Sequence, residues 1–321
     1  MTEPKKCELC GSTQQRVYLE KIYHYQGQDY SLVQCERCGL VFVKPMPDLE
    51  TIRNFYNERY FQSDFACGMF EGNYLETQAS RIEEYREMLG MIQHFKPKGR
   101  LLEVGCAAGS FLFYARRAGY QVEGVDISRW AVEKARLQFG LEVHQGRLME
   151  VGLDSDSYDV IFLSDLLEHE PEPTKFLQEI RRLLKPDGIC VIKVPTYVNS
   201  FYYRFLRRLP WSWTLGKLDP RLLQALKVWN KGPKFPPYHL YEYSPRTLAE
   251  LLKKCGLRII ERRNFLLVPE FLELKRPGIT AKIVWIGFIT LRWLIRKLNL
   301  HGGHTIVFAV PEGKGNENRA G

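Results

Sequence analysis

Four cysteines near the N-terminus have the spacing of a metal site. They lie in two Cys-x-x-Cys pairs, CELCG at 7–11 and CERCG at 35–39, and each pair is followed by a glycine. One Cys-x-x-Cys turn presents two thiolates from a tight loop, and two such turns supply the four soft ligands that Zn²⁺ takes in a tetrahedron. The pattern therefore predicts a structural zinc ion with these ligands: Cys7, Cys10, Cys35 and Cys38.

A redox-active dithiol is the alternative role for one of these pairs. That chemistry belongs to a Cys-x-x-Cys motif inside a βαβ unit, whereas the segment between the pairs alternates in polarity around a glycine and predicts a short β-hairpin. The chain opens with MTEPKK and no apolar run follows, so no secretory signal is expected. Its eight cysteines then indicate a reducing compartment, and we expect the protein in the cytoplasm.

A second chemical pattern is the stretch LLEVGCAAGSF at 101–111, which resembles a strand entering a glycine loop. A loop that binds a dinucleotide has glycine at three positions. In this chain those positions hold Gly105, Ala107 and Ser110. A nicotinamide cofactor is therefore the weaker candidate. S-adenosylmethionine carries no phosphate and asks only that the backbone pass close to it, which Gly105 and Gly109 permit.

Two acidic residues near this loop agree with a cationic ligand. Glu103 lies two residues before Gly105, where it would repel a pyrophosphate but attract a sulfonium and an ammonium group. Asp126 ends the next predicted strand, a position from which a carboxylate binds both ribose hydroxyls. The alternative role of Asp126 is to cap the helix that begins after Ser128.

Alternating strands and helices must position these residues. The apolar runs read as strands at 100–104, 120–126, 141–146, 157–165, 188–195, 257–265 and 304–310. Helical segments separate most of them, and repeated strand–helix units imply a parallel sheet with helices on both faces. We therefore predict an α/β fold, with a doubly wound, mostly parallel seven-stranded sheet behind a small N-terminal zinc ribbon.

Residues 101–195 resemble a class I S-adenosylmethionine-dependent methyltransferase, in the branch of ubiquinone-biosynthesis methylases and many sugar and natural-product methylases. LLEVGCAAGSF is similar to the first motif of that family, with Ala107 at a usual glycine, and VEGVDIS is similar to the second. DSDSYDVIFLSDLLEHEPEP and LQEIRRLLKPDGICVIKVP are similar to its fourth-strand and fifth-strand segments. The resemblance implies a Rossmann-like methyltransferase fold and an enzyme that uses S-adenosylmethionine.

The same resemblance implies further cofactor residues. Ile127 and Ser164 would complete the cofactor site, and Leu148 would pack on the adenine ring. The family often has an acidic residue near the adenine amino group, where this sequence has Arg147. The cysteine pairs resemble a zinc-binding module that some bacterial methylases, including sugar C-methyltransferases, carry ahead of this domain.

Two histidines are candidates for the acceptor side. The fourth-strand end, SDLLEHEPEP, lacks an Asn-Pro-Pro-Tyr-like run, which disfavours amino methylation of nucleic-acid bases. An oxygen or carbon acceptor needs a base or careful positioning. His169 lies where the acceptor should approach and is predicted either as that base or as a brace of the loop. His239, in PPYHLYEYSP, would line the acceptor side with Tyr241.

Positive charge and tryptophan are concentrated in two stretches. The stretch 196–234 has eight Lys and Arg against one Asp, and 275–297 has six and no acid, although the whole chain carries only +9. Five of the six tryptophans also lie there. Three roles stay open: a lid over the acceptor, a contact with an anionic membrane surface at the inner face of the membrane, and RNA binding. DNA is not an expected partner.

We accordingly expect four parts in the chain. They are a zinc ribbon at 1–44, a helical connector at 45–95, a methyltransferase domain at 96–310 with cap insertions at 196–240 and 265–302, and a disordered tail at 311–321. The expected activity is methyl transfer from S-adenosylmethionine to oxygen or carbon of a small-molecule or lipid- or sugar-linked acceptor. The alternative is a zinc-ribbon protein that binds or methylates RNA.

Overall fold

The chain folds around two β-sheets of different size. The computed structural model describes residues 6–61, 81–196, 235–266, 290, 293–294, 297–299 and 303–313. Eleven strands fall within these ranges: β1 Gln15–Tyr25, β2 Gln28–Cys35, β3 Val41–Lys44, β4 Arg100–Val104, β5 Gln121–Asp126, β6 Val143–Gln145, β7 Tyr158–Ser164, β8 Leu184–Pro195, β9 Tyr241–Glu242, β10 Leu257–Leu266 and β11 Gly303–Pro311. The prediction of the seven large-sheet strands and of the hairpin is confirmed.

The large sheet has the order β10-β11-β8-β7-β4-β5-β6. The five strands from β8 to β6 run parallel, while β11 is antiparallel to both β8 and β10. Its central strands are buried on both faces, because helices cover both sides of a sheet built from strand–helix units. The predicted doubly wound seven-stranded α/β fold is confirmed.

Seven α-helices have both ends within the described residues: α1 Leu49–Phe55, α2 Ile82–Phe95, α3 Ser110–Arg117, α4 Arg129–Phe139, α5 Leu148–Val151, α6 Pro173–Leu183 and α7 Pro245–Lys254. Local sequence explains several of their ends. Ser128 caps α4 by accepting from the Ala131 N–H, and Ser244 and Thr247 form a reciprocal capping box on α7. Pro173 begins α6 at the first turn, where its missing N–H costs nothing.

The small sheet is antiparallel, with the order β1-β2-β3-β9. Its first three strands come from the cysteine-containing segment, but β9 comes from residues 241–242, far along the chain. The segment before β9 is also attached, since Val43 N–H donates to Leu240 O at 2.9 Å and His24 N–H donates to Phe235 O at 3.0 Å. No sequence pattern had indicated this fourth strand.

The strands that precede the two basic stretches in the sequence end at one edge of the large sheet. These strands are β8, before 196–234, and β10, before 275–297; both run antiparallel to β11, so their carboxyl ends point the same way. The loop after β4 leaves from this same edge, because β4 and β8 are both parallel to β7.

The stretches themselves carry no described structure that tests their role. The predicted lid, membrane or RNA contacts of 196–234 and 275–297 lie largely outside the described residues, as does most of the predicted tail at 311–321. Within the described ranges, no helix is both long and apolar enough to cross a membrane.

Candidate cofactor and acceptor site

The loop after β4 approaches its neighbours closely at two glycines. Gly105 and Gly109 have left-handed backbone, with φ of +73° and +78°. A Cβ on Gly109 would lie 2.5 Å from Leu141 Cδ1 and 3.1 Å from Ala135 Cβ, atoms on and just after α4. Gly109, and not Ser110, therefore permits the close packing that the third glycine gives in a dinucleotide loop.

Ala107 adopts left-handed backbone as well, with φ of +47°. For a residue with a Cβ this costs roughly 1–2 kcal/mol. Its N–H donates to Asp126 Oδ2 at 2.7 Å, a buried charge-assisted hydrogen bond that offsets the cost. Its methyl group packs beside Phe61 and Ala131. Residue 107 contributes its backbone N–H to the hydrogen bond with Asp126, so alanine can replace the usual glycine there.

Asp126 is held in place by two backbone amides. Oδ2 accepts from Ala107 and Oδ1 accepts from the Ser128 N–H at 2.8 Å. The residue is only 7% exposed. Burial raises the pKa of its carboxyl to about 6, although the two amide hydrogen bonds act in the opposite direction. A carboxylate has about four lone-pair sites, so two amides leave room for two ribose hydroxyls.

Glu103 is a second buried carboxyl at this edge. It is 5% exposed, and its Oε2 has no hydrogen-bond partner among the described residues. Burial and the charge of Asp126 raise its pKa well above the ordinary value, against the opposing effect of Arg81. An orphaned buried carboxyl oxygen needs a donor, and the ammonium group of S-adenosylmethionine is one.

A cleft of about 590 Å³ is lined by Ile127 and Ser128, the two residues that follow Asp126 in the sequence. One wall comes from the residues after β5 and β6, including Ile127, Trp130 and Gly146, and the other comes from α1 and the turn after it, including Tyr56. Phe61 stacks on Trp130 with ring centroids 5.0 Å apart. The structure thus places Ile127 at a cleft of the right size for a nucleoside, and it adds connector residues that the sequence did not indicate.

Leu148 and Arg147 take positions next to this cleft. Leu148 is 2% exposed and belongs to the main hydrophobic core. The Arg147 guanidinium pairs with Glu170 at 2.6 Å and with Glu172 at 3.4 Å, and its side chain is 9% exposed. Arg147 is therefore engaged with the loop before α6.

Ser164, at the end of β7, borders a partly buried ionic cluster. Its hydroxyl donates to Asp165 Oδ2 at 3.2 Å. Asp165 also lies 3.0 Å from Lys193 Nζ and 3.4 Å from His304 Nε2. Burial opposes ionisation, but Lys193 and His304 hold the pKa of Asp165 well below its ordinary value. The sequence analysis did not predict this cluster, although the lysine inside the apolar run GICVIKVP is a signal that could have indicated it.

His169 and His239 come together at the same edge, with ring centroids 4.9 Å apart and nearly perpendicular planes. His169 Nδ1 lies 2.7 Å from the Tyr238 carbonyl oxygen and 2.8 Å from Tyr56 Oη. Because a carbonyl can only accept, Nδ1 carries the proton and Nε2 presents its lone pair. His169 can therefore act as a base or a ligand only through Nε2. Tyr56 and Tyr238 were not among the predicted site residues.

The four N-terminal cysteines form one compact group. Cys7 Sγ lies 3.5 Å from Cys38 Sγ, Cys10 Sγ lies 3.5 Å from Cys35 Sγ, and all four sulfur atoms are within 4.8 Å of one another. Sulfur atoms at the corners of a zinc tetrahedron with bonds of about 2.3 Å are about 3.8 Å apart. The group therefore fits a zinc ion.

Backbone geometry supports each cysteine turn. The N–H groups of Gly11 and Gly39 donate to the carbonyls of Cys7 and Cys35, and both glycines have positive φ. Burial alone would raise the pKa of Cys35, but backbone N–H groups of Cys38 and of the residue before it bring it to about 7. Burial raises the pKa of Cys7 to about 11 and that of Cys38 well above its ordinary value, so ionisation of the four thiols would be coupled to metal binding.

Comparisons with known proteins agree with this geometry. A family model described as a methyltransferase domain matches residues 74–262. The ubiquinone biosynthesis O-methyltransferase of Haemophilus ducreyi is 31% identical over 103 residues, which cover 29% of this chain and 44% of that protein. The protein of the same name from Ruegeria pomeroyi is 25% identical over 182 residues, covering 53% of this chain and 64% of that protein. The matches thus span less than two thirds of both relatives.

One solved structure supports the fold. The magnesium protoporphyrin IX methyltransferase of Synechocystis PCC 6803, solved with bound SAH, superposes with a TM-score of 0.51 at 16% identity. The superposition covers 83% of this chain and all of that one, at 100%. At such low identity the likeness concerns the arrangement of strands and helices.

Proposed function

The chain belongs to the methyltransferase domain family and has the class I, Rossmann-like fold of S-adenosylmethionine-dependent methyltransferases, and from this premise we propose that it transfers a methyl group from S-adenosylmethionine to an oxygen atom of a small-molecule or lipid- or sugar-linked acceptor. The observation that carries the proposal is the Asp126 carboxylate, which the Ala107 and Ser128 amides fix at the end of β5. The names of the curated relatives support oxygen as the methylated atom.

The residues at the carboxyl ends of β4 and β5 have separate tasks in this proposal. Asp126 accepts the ribose hydroxyls, Ile127 packs on the adenosine, and Glu103 accepts from the ammonium group. Gly105 and Gly109 let the backbone approach the ligand. S-adenosylmethionine supplies an electrophilic methyl group on a sulfonium, so the protein's main contribution is to position the acceptor oxygen in line with it.

The acceptor side is formed by the residues that follow β7. His169 Nε2 and His239 lie there, with the buried Glu168 beside them. The connector residue Tyr56 closes this side by its hydrogen-bond contact with His169. Removal of the acceptor proton, or its delivery to water, falls to this group of residues.

The cysteine group has a structural task in this proposal. Four thiolates fill the coordination of one zinc ion, so the ion has no open position for catalysis. The small sheet that the cysteines support grips the segment 235–242, which carries His239. Zinc binding would therefore help to place an acceptor-side histidine.

A label-transfer experiment tests the activity while the acceptor is still unidentified. The full chain is incubated with methyl-tritiated S-adenosylmethionine and, separately, with a bacterial lipid extract, a polar metabolite extract and total RNA. We expect enzyme-dependent label in a lipid or metabolite fraction, and little with the Asp126→Asn variant. Label only in ribonuclease-sensitive material, or none in any fraction, would contradict the proposal.

A further inference from the structure

We propose that His304, Asp165 and Lys193 form a subsite that binds a second hydroxyl of the acceptor, apart from the oxygen that receives the methyl group. The subsite rests on the proposed methyl transfer and adds a contact that selects the acceptor. His304 is 8% exposed, and its Nδ1 has no hydrogen-bond partner among the described residues. A buried polar atom without a partner needs a ligand or a water molecule to complete it.

The contacts of Asp165 determine which nitrogen of His304 accepts a hydrogen bond. His304 Nε2 lies 3.4 Å from Asp165 Oδ1, and Lys193 Nζ lies 3.0 Å from Asp165 Oδ2. An ionised carboxylate can only accept, so the neutral imidazole carries its proton on Nε2 and presents a lone pair at Nδ1. Nδ1 therefore suits a donor such as a hydroxyl group.

Lys193 supplies the matching donor. Its ammonium group has three N–H bonds, and its acceptors among the described residues are Glu84 Oε1 at 2.6 Å and Asp165 Oδ2 at 3.0 Å. These two hydrogen bonds leave a third N–H for a ligand. A hydroxyl both donates and accepts, and at this carboxylate it has His304 as an acceptor and Lys193 as a donor nearby.

The charges of the cluster balance, which favours a neutral ligand group. Arg81 pairs with Glu84 at 2.7 Å, and Lys193 pairs with both Glu84 and Asp165. Two cationic side chains thus face two carboxylates. A bound phosphate, carboxylate or ammonium would add an uncompensated charge to this poorly hydrated cluster, which costs free energy. A hydroxyl leaves the balance unchanged.

The subsite adjoins the residues that we assign to the methionine part of the cofactor. The positive charge of Arg81 acts to lower the pKa of both Glu103 and Asp165, so the guanidinium lies near both carboxyls. Asp165 also has left-handed backbone directly after β7, with φ of +51°. Non-glycine residues in such strained backbone cluster at active sites and ligand-binding sites. Both observations support a place beside the methyl donor.

The two histidine groups at this edge lie on opposite faces of the large sheet. Tyr238, whose carbonyl holds His169, packs in the same core as Val194 of β8. Ile306, two residues after His304 in β11, packs in a separate core with α2, and alternate residues of a strand face the same side. An acceptor that spans both groups needs a hydroxyl for His304 besides the oxygen near His169. We therefore expect a neutral acceptor with several hydroxyls, such as a sugar.

Two substitutions at position 304 separate acceptor binding from a merely structural role. His304→Gln keeps a side-chain N–H that can reach Asp165 from the Nε2 position, but it removes the Nδ1 acceptor. His304→Asn places its amide near the Nδ1 position and loses the contact with Asp165. Methyl transfer from methyl-tritiated S-adenosylmethionine to the extract fraction that the wild-type chain labels should fall about tenfold in His304→Gln, from the loss of one hydrogen bond, and less in His304→Asn. A residue that only braces Asp165 would give the reverse order.

The Kd for S-adenosylmethionine, measured by calorimetry on the same samples, should stay unchanged in His304→Gln. The matched control is His144→Asn, at a partly buried histidine that pairs with Glu123, and it should keep both the labelling and the Kd. The labelled product should also react with acetic anhydride, because its second hydroxyl stays unmethylated.

Three results would overturn the subsite alone: wild-type labelling in His304→Gln, the reverse order of the two variants, or a labelled product that has no hydroxyl to acetylate. If the wild-type chain binds S-adenosylmethionine but labels no fraction, the subsite and the proposed acceptor both fail. If the wild-type chain does not bind S-adenosylmethionine, the whole proposed function fails with them.

Discussion

Replacing Asp126 by asparagine should weaken S-adenosylmethionine binding strongly. Both carboxylate oxygens already accept one amide hydrogen bond, from Ala107 and from Ser128. Asparagine keeps one acceptor oxygen and turns its NH₂ group towards the other amide, so one of the two N–H groups loses its partner. The variant also loses a charged acceptor for one ribose hydroxyl, which is worth about 1.5–3 kcal/mol.

That loss corresponds to a rise in Kd of about 10- to 150-fold, since 1.4 kcal/mol is about a factor of ten. The unpaired buried amide should also lower the free energy of unfolding by about 1–3 kcal/mol. Isothermal calorimetry at pH 8 measures the first effect and urea unfolding measures the second. Glu133→Gln, at the rim of the same cleft, is the matched control and should change both only slightly.

The pH dependence of S-adenosylmethionine binding is a second test of the role of the Asp126 carboxyl. Burial raises its pKa to about 6, so at pH 5 only about a tenth of the protein carries the ionised form. If the ionised form binds the ribose, affinity should fall about tenfold from pH 8 to pH 5 through this group, and Asp126→Asn should lack this slope.

The contribution of Asp126 to the stability of the folded protein should change with pH in the opposite direction from the affinity for S-adenosylmethionine. The folded protein holds the Asp126 proton up to about pH 6 and the unfolded chain releases it near the ordinary value of 3.8, so this group's contribution to stability falls between these values as pH rises. Glu103 also titrates above its ordinary range, so the measurement is repeated in Glu103→Gln. Unchanged affinity in Asp126→Asn at pH 8 would refute this role of the carboxylate.

Three further predictions concern the metal and the loop. Purified protein should contain about one zinc per chain at the cysteines, and Cys10→Ser should lower the melting temperature while S-adenosylmethionine still binds; zinc-free protein of unchanged stability would contradict this. Gly109→Ala and Gly140→Ala should each lower the free energy of unfolding by about 1–2 kcal/mol, because both glycines have left-handed backbone. Gly109→Ala should lower it by about 1–3 kcal/mol more, because its new Cβ would lie 2.5 Å from a neighbour, whereas Gly140 has open space. Equal unfolding curves for the two variants would refute the packing argument. Ala107→Gly should leave the Kd for S-adenosylmethionine within about twofold, because the amide provides the contact, and a large loss would assign the role to the methyl group.

The sequence was sufficient for the parallel core because each strand there is a short apolar run between a turn and a helix. Ser128 marks a helix start that the structure places as expected, and Ser244 caps α7 by the same local chemistry. The acidic ends of two strands, Glu103 and Asp126, also come to one edge, since parallel strands direct their carboxyl ends the same way. These features depend on local pattern and on general rules of topology.

Contacts between segments that lie far apart in the chain could not be predicted from the sequence. Strand β9 has two residues, too few for a periodic pattern, and it pairs with β3 from the other end of the chain. The contact of Tyr56 with His169 likewise joins positions 113 residues apart. Such contacts depend on how the connector and the small sheet pack on the core, which no local signal in Tyr56 or Tyr238 encodes.

Calorimetric titration of the full zinc-loaded chain with S-adenosylmethionine, and separately with NADH, tests the central claim most directly. We predict one site for S-adenosylmethionine, competition by S-adenosylhomocysteine, and no heat of binding from NADH, because Gly105, Ala107 and Gly109 with Glu103 beside them form a loop for a cation and not for a pyrophosphate. Binding of NADH without binding of S-adenosylmethionine would contradict it.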